Sequence, residues 1–294
     1  MSYKPMSVTD KAVSLRNKPM SLKKQRLILL EIMLIVFTII YFLPFYIVIT
    51  MAMKTPSELL LSNFGLPKTL NFDNFVKAWE ITKYSTVLFN TAFISLLSVA
   101  GIILVASMAA FTLAKQANKL NTFLYYFFLS GIMIPSYTVL VPLVKLLKSL
   151  YLMNSKLGLV IVYIGHGLPF AVFLLVGFIR SIPKEIMEAG TIDGCNVYQL
   201  YWRILLPMLQ SVIITLFILD LIWIWNDFLL PLLVLQKKTD FTLTLSQYSM
   251  HGEFGTQWQI VFAGFLLAIA PLTVVYLALQ KYVISGISAG ALKG

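Results

Sequence analysis

"EIMEAGTIDGCNVYQLYWRILLP", Glu185–Pro207, lies between two long apolar runs, yet it carries three acids (Glu185, Glu188, Asp193), an Asp-Gly turn and the basic Arg203. Its pattern reads as helix, turn, helix. Pro183 suits a first helical turn, where its missing N–H costs nothing, and Lys184–Ile192 follow as a short helix. Asp193-Gly194 is a turn signal, with glycine available for a positive φ. Asn196 and Gln199 have the spacing of a capping box, with Asn in place of Ser or Thr. Val197, Leu200, Tyr201, Ile204 and Leu205 recur at helical spacing and give one apolar face. Ala189 and Gly190 offer a small-residue face that a partner's backbone can approach closely. On patterning alone the segment is either a surface that a partner can approach or an amphipathic cover for a helical bundle.

The flanking chain decides that it is a membrane protein. Of 294 residues, 59% are hydrophobic and 12% charged, with a mean hydropathy of +0.85. Apolar runs of roughly 20 residues match the hydrocarbon thickness. Six occur, at about 27–49, 85–114, 122–147, 157–179, 208–235 and 259–282. The fold class expected is therefore all-α integral membrane, with six transmembrane helices and a connecting loop at 181–207. Prolines at 44, 135, 142, 169, 231 and 271 fall in or beside these runs; a bundle tolerates them because neighbours satisfy the freed carbonyls. No cleavage site follows the first run, which is too long for a signal h-region. Residues 1–26 read as a disordered cytoplasmic tail and 283–294 as a second cytoplasmic tail. With the N-terminus inside, fourteen Lys and Arg fall on inner segments and nine on outer ones, which favours both termini inside. The connection carrying Lys145, Lys148 and Lys156 opposes that bias.

Other classes find little support. The net charge of +11 is mostly inner-surface charge facing anionic lipid, and no basic patch interleaved with exposed aromatics points to nucleic acid. Cys195 is the one cysteine, so no internal disulfide forms. His166 and His251 have no metal-ligand spacing, and no metal site is expected. There is no HExxH and no nucleophile–base pairing. The chain also lacks a G-x-x-x-x-G-K-[ST] loop to cradle ATP phosphates.

Glu188-Ala189-Gly190, then Gly194, then Ile204-Leu205-Leu206-Pro207 resembles the EAA loop of ABC importer permeases: E-A-A, three residues, G, nine residues, I-x-L-P. One position departs, Gly190, where the second alanine usually stands. "FNTAFISLL", "GFIRSIPKEIMEAGTIDG", "WIWNDFLLPLLVL" and the terminal "QKYVISGISAGALKG" are similar to maltose-type carbohydrate permeases. The resemblance implies the type I ABC importer permease fold and one half of a translocation path for a sugar, an oligosaccharide before others. It implies a second permease in a heterodimer, two cytoplasmic ATPase subunits holding ATP and Mg, and an extracellular or periplasmic solute-binding protein, all at a bacterial plasma membrane. This chain would bind no cofactor and hydrolyse nothing itself. Glu188, Ala189, Gly190, Asp193, Gly194, Ile204, Leu206 and Pro207 would form the coupling loop against the ATPase. Ser288, Ala289, Gly290 and Lys293 would reach between the ATPase subunits. Glycerol phosphate is an alternative cargo, and a structural membrane subunit an alternative role.

Acids inside a span usually face the bundle interior. Asp220 sits near mid-depth of the fifth run. Trp223, Asn226 and Asp227 share a helical face, and a tryptophan beside hydrogen-bonding groups suits a sugar. These four form the candidate substrate path; the competing reading is that Asn226 and Asp227 pair with neighbouring helices or cap a break before Pro231. Residues 51–84 read as an outer loop with short helices, a surface for the solute-binding protein or a plain connector.

Overall fold

The computed structural model describes residues 22–62, 64–115, 118–253 and 257–291. The described residues are helices and their connections. In chain order they are α1 (Leu22–Ala52), α2 (Pro56–Leu61), α3 (Asp73–Thr82), α4 (Tyr84–Lys115), α5 (Lys119–Met133), α6 (Leu140–Ser149) and α7 (Lys156–Arg180). Then come α8 (Lys184–Ile192), α9 (Val197–Met208), α10 (Gln210–Asn226), α11 (Leu229–Val234), α12 (Leu243–Glu253) and α13 (Trp258–Ala291).

Among the described residues four helices, α1, α4, α7 and α13, are long and apolar enough to cross a membrane. The remaining apolar runs are broken. Where the sequence predicts one run over 122–147, α5 and α6 meet at 95°. Pro135 is the cause: it disfavours helical backbone at Ile134 and cannot donate to the ladder, and Ile134 is extended at ψ 117°. The run at 208–235 is likewise two pieces, since α10 stops at Asn226 and Asp227 is extended at ψ 133°. α10 has 17 residues, about 25 Å at 1.5 Å each. α1 begins at Leu22, ahead of the apolar run, so Lys23, Lys24 and Arg26 lie in its first turns. The expected disordered tail over residues 1–26 is thus helical from Leu22 on, and its first 21 residues lie outside the described residues.

Lipid is as apolar as a side chain, so helices in it associate through close packing and polar contacts. α4 and α7 pack most extensively, and they do so reciprocally. A Cβ on Gly101 would strike Ile164, and one on Gly167 would strike Ile102. Asn90, Thr91, Ser95, Ser98 and Ser107 line the buried side of α4. α13 closes the other side of the bundle against α1, α3 and α10. The most apolar window of α1 buries nothing within the chain.

Polar contacts gather several connections at one end. Asn90 donates to the carbonyls of Thr239 (2.8 Å) and Phe241 (3.1 Å) and accepts from Lys156 Nζ (3.0 Å). Lys156 also pairs with Asp240 at 3.5 Å. Asn154 Oδ1 accepts from the amides of Gln236 and Lys237. The predicted outer segment carries α2 and α3. Thr55 and Glu58 form a capping box on α2, and the Thr55 amide holds the Glu58 carboxyl below its ordinary pKa. α12, beyond the fifth run, has no counterpart in the sequence reading.

Candidate functional site

The loop between α7 and α10 is built as the spacing predicts. α8 covers Lys184–Ile192, with Pro183 at its N-cap, just outside the first turn. It ends in a Schellman motif: the amide of Cys195 donates to the Gly190 carbonyl (3.0 Å) and that of Gly194 to Thr191 (3.1 Å), while Gly194 takes φ +84°, as glycine readily can at this position. α9 opens on the Asn196–Gln199 capping box, with both bonds at 2.9 Å. From Leu200 to Leu205 the helix widens to a π turn, and the Leu206 amide reaches back to Tyr201. A proline ring clashes with the carbonyl four residues earlier, so the wide turn ahead of Pro207 has a local cause in the I-x-L-P segment.

Leu200, Tyr201 and Leu205 face inward, and Tyr201 Oη meets Ser107 Oγ of α4 at 2.7 Å in a buried hydrogen bond. This ties the loop to the bundle core. Gly190 also faces inward. A Cβ there would come within 2.5 Å of Ile204 Cδ1 and 2.8 Å of Leu200 Cδ2, so its small size serves packing within the chain. The expected Ala189–Gly190 docking face is therefore divided, with Ala189 and Glu188 exposed and Gly190 buried. Asp193 and Pro207 are exposed, Ile204 and Leu206 half-buried. Val197, at the exposed start of α9, departs from the expected apolar face and is 58% exposed, and further outward bulk comes from Ile192 (85%), Tyr198 (75%) and Trp202 (53%), which that face does not include. Their signal was the off-face apolar side chain on an otherwise amphipathic pattern.

The second cluster joins α7, α10 and the bend between α5 and α6. Trp223 stacks on the His166 ring (centroids 4.6 Å, 21°) and meets Tyr163 edge-on at 5.6 Å. His166 Nε2 lies 2.8 Å from Ser136 Oγ, in the 3-10 turn of the α5–α6 bend. Tyr163 donates to Asp227 Oδ2 at 2.8 Å, and the Leu229 amide donates to Asp227 Oδ1 at 3.1 Å. Asp227 thus both pairs with a neighbouring helix and caps the break before Pro231. Asn226 does not join it. Because α10 ends there, Asn226 bonds back to the Ile222 carbonyl and lines a different cavity with the buried Trp225.

Ser136, His166 and Trp223 form a wall shared by two cavities. One, about 590 Å³, reaches Asp227, Tyr137 and Leu143. The other, about 540 Å³, reaches Asp220, Leu219 and Phe170. Asp220 is buried, and its Oδ2 has no hydrogen-bond partner among the described residues. Aromatic faces with a few polar groups are what a neutral polyol needs. His166, Tyr163 and Ser136 complete this set; a polar side chain deep in an apolar run, His166 in "YIGHGLPF", was the available signal. At the other end of the chain, α13 carries Ser288, Ala289 and Gly290 in its last turns, so the expected tail continues the helix through Ala291. Lys293 lies outside the described residues. No group of His, Cys, Asp and Glu able to hold a metal occurs among the described residues.

Residues 102–289 match the family described as "Binding-protein-dependent transport system inner membrane component". The chain is 36% identical, over 90% of its length and 96% of the relative's, to the "Probable starch degradation products transport system permease protein AmyC" of Thermoanaerobacterium thermosulfurigenes. It is 35% identical to the "Melibiose/raffinose/stachyose import permease protein MelC" of Bacillus subtilis, over 86% of this chain and 92% of that one. In three dimensions it resembles a chain of a bacterial ABC transporter involved in the import of the acidic polysaccharide alginate. That match has a TM-score of 0.79 at 18% identity, covering 90% of this chain and 99% of the other.

Proposed function

The chain belongs to the family of binding-protein-dependent transport system inner membrane components, and on that premise we propose that it forms half of the translocation path of a sugar importer, driven by ATP hydrolysis on separate subunits. The observation that carries the reading is the loop. It is a pair of helices joined by a capped turn and bonded to the core through Tyr201 and Ser107; while Leu200 and Leu205 pack inward, Ile192, Tyr198 and Trp202 point outward. A passive cover would turn those side chains toward the bundle. As a lever it receives the motion of an ATPase dimer that binds ATP and Mg, with Glu188, Ala189, Asp193 and the exposed Tyr198 and Trp202 at the contact. The helical end of α13, with Ser288, Ala289 and Gly290, lies toward the same subunits.

In this reading six spans cross the membrane with both termini inside. The Lys and Arg bias supports it, as do the polar contacts that gather the connections around residues 90, 154–156 and 236–241 at one end. A second permease supplies the other half of the path, and a solute-binding protein delivers cargo from outside. Trp223, His166, Asp227 and Asp220 line this chain's share of the path, and the buried Tyr163 holds Asp227 in place. The sugar assignment rests on the saccharide names of the relatives and on cavities that set aromatic faces beside a few polar groups.

The test is reconstitution in proteoliposomes of this chain with its partner permease, ATPase and solute-binding protein. Uptake of a neutral oligosaccharide should exceed that of glycerol phosphate, and the chain alone should neither transport nor hydrolyse ATP. Hydrolysis by the purified single chain would refute the reading; preferred uptake of glycerol phosphate would refute the sugar assignment.

A further inference from the structure

Where α4 and α7 end against α8, a cavity of about 380 Å³ is ringed by Lys115, Arg180 and Lys184. Its remaining wall is largely apolar, from Phe111, Ile179, Met187 and Leu205. Three cations converge there with little to neutralise them. Arg180 lies over the Tyr125 ring at 4.9 Å and Lys115 over Phe111 at 5.6 Å, and among the described residues none of the three is within ion-pair reach of a carboxylate. Glu188 lines the same cavity without pairing with them, which leaves two net positive charges. The N-terminus of α8, at Lys184, has no side-chain cap and adds partial positive charge.

We propose that this cavity binds the phosphodiester headgroup of an anionic phospholipid, with the glycerol and upper acyl carbons against the apolar wall. A free phosphate ion would use the cations but not that wall. The site lies at the ends of two spanning helices, at the level where headgroups lie, and basic pockets between spans on the inner face suit such lipids. The lipid would fill the space between bundle and loop, and α8 would then sit on a surface partly made of lipid. The inference rests on the inward orientation proposed above.

The test uses the assembled complex, purified in mild detergent and examined by native mass spectrometry with added phosphatidylglycerol, phosphatidylcholine or inorganic phosphate. Wild type should retain phosphatidylglycerol over phosphatidylcholine. Neutralising the ring by Lys115→Gln, Arg180→Gln and Lys184→Gln should weaken retention by about fivefold per cation. A control removing as much charge elsewhere, by Lys68→Gln, Lys77→Gln and Lys148→Gln, should leave it unchanged. Equal retention of the two lipids, or equal losses in both triple variants, would overturn the proposal. Displacement of the lipid by millimolar inorganic phosphate would show that a free anion is the ligand and would also overturn it. Lipid retention is read without transport, so failed sugar uptake with intact retention would refute the proposed function alone.

Discussion

Gly194 offers the sharpest test of the lever. Its φ of +84° lies in the left-handed region, and a Cβ built there meets nothing within 4 Å. Any penalty for a side chain is therefore a backbone penalty and not a clash. Placing an L residue in left-handed backbone costs about 1–2 kcal/mol, and a β-branched residue sits at the unfavourable end. Asn tolerates this region better than Ala or Val. A loss of about 1–2 kcal/mol lowers the population of the native turn relative to its alternatives by about 5–30-fold. It also threatens the two Schellman hydrogen bonds that fix where α9 starts relative to α8. The series Gly194→Asn, Gly194→Ala, Gly194→Val should thus lose uptake and ATPase co-purification in that order, at constant protein level in the membrane. Wild-type uptake by the Val variant would make the loop a passive cover. Equal losses for Asn and Val would mean that bulk at this point matters and backbone sign does not, which would refute the argument from φ.

Tyr201→Phe removes the buried bond to Ser107 and should cost about 1 kcal/mol, since Ser107 keeps its bond to the Leu104 carbonyl; adding Ser107→Ala should cost little more, as a double-mutant cycle of thermal unfolding in detergent will show. Trp223→Ala should reduce uptake by a factor that differs between two sugars, because it removes a stacking face. Asp227→Asn should instead lower abundance and uptake alike for every sugar, since the carboxylate holds Tyr163 and the Leu229 amide; a loss selective for one sugar would place Asp227 on the cargo. Deleting residues 288–294 should leave the complex assembled but change its ATPase rate, and an unchanged rate would show that this end of α13 has no regulatory contact.

How much of this was legible followed from how local each cause is. α8 could be read to the residue because proline precedes it and Asp-Gly follows it, and both act on their own backbone. The capping box at Asn196 is equally local. The break at Pro135 was visible as a proline but not as a bend, because a bundle can absorb a proline and only the packing decides. The common face of Trp223, Asn226 and Asp227 presumed that the helix continues; it stops at Asn226, and Asp227 reaches its place through Tyr163, 64 residues away. His166 has no metal-ligand spacing in the sequence, and its partners, an aromatic ring and a serine hydroxyl, lie on other helices. Gly190 looks in sequence like a gap for a partner, and its own chain fills that gap with Leu200 and Ile204.

These non-local contacts also decide what kind of machine the loop can be. A lever transmits displacement only if it is stiffer than its attachment to what it moves. Within the loop, a Schellman motif and a capping box fix both sides of the turn, and Gly190 lets Leu200 and Ile204 lie close on α8. Beyond the loop, α9 meets α10 at 73° and is held to α4 by the Tyr201–Ser107 bond. A push on α8 then has two outcomes. It can break that buried bond, leaving the Tyr201 hydroxyl unpaired at about 1–3 kcal/mol, or it can carry α10 and α4 along. α10 bears Asp220 and Trp223, and α4 packs along α7, which bears Tyr163 and His166. The second outcome displaces the wall between the two cavities, and it becomes the favoured one whenever moving that wall costs less than opening the bond.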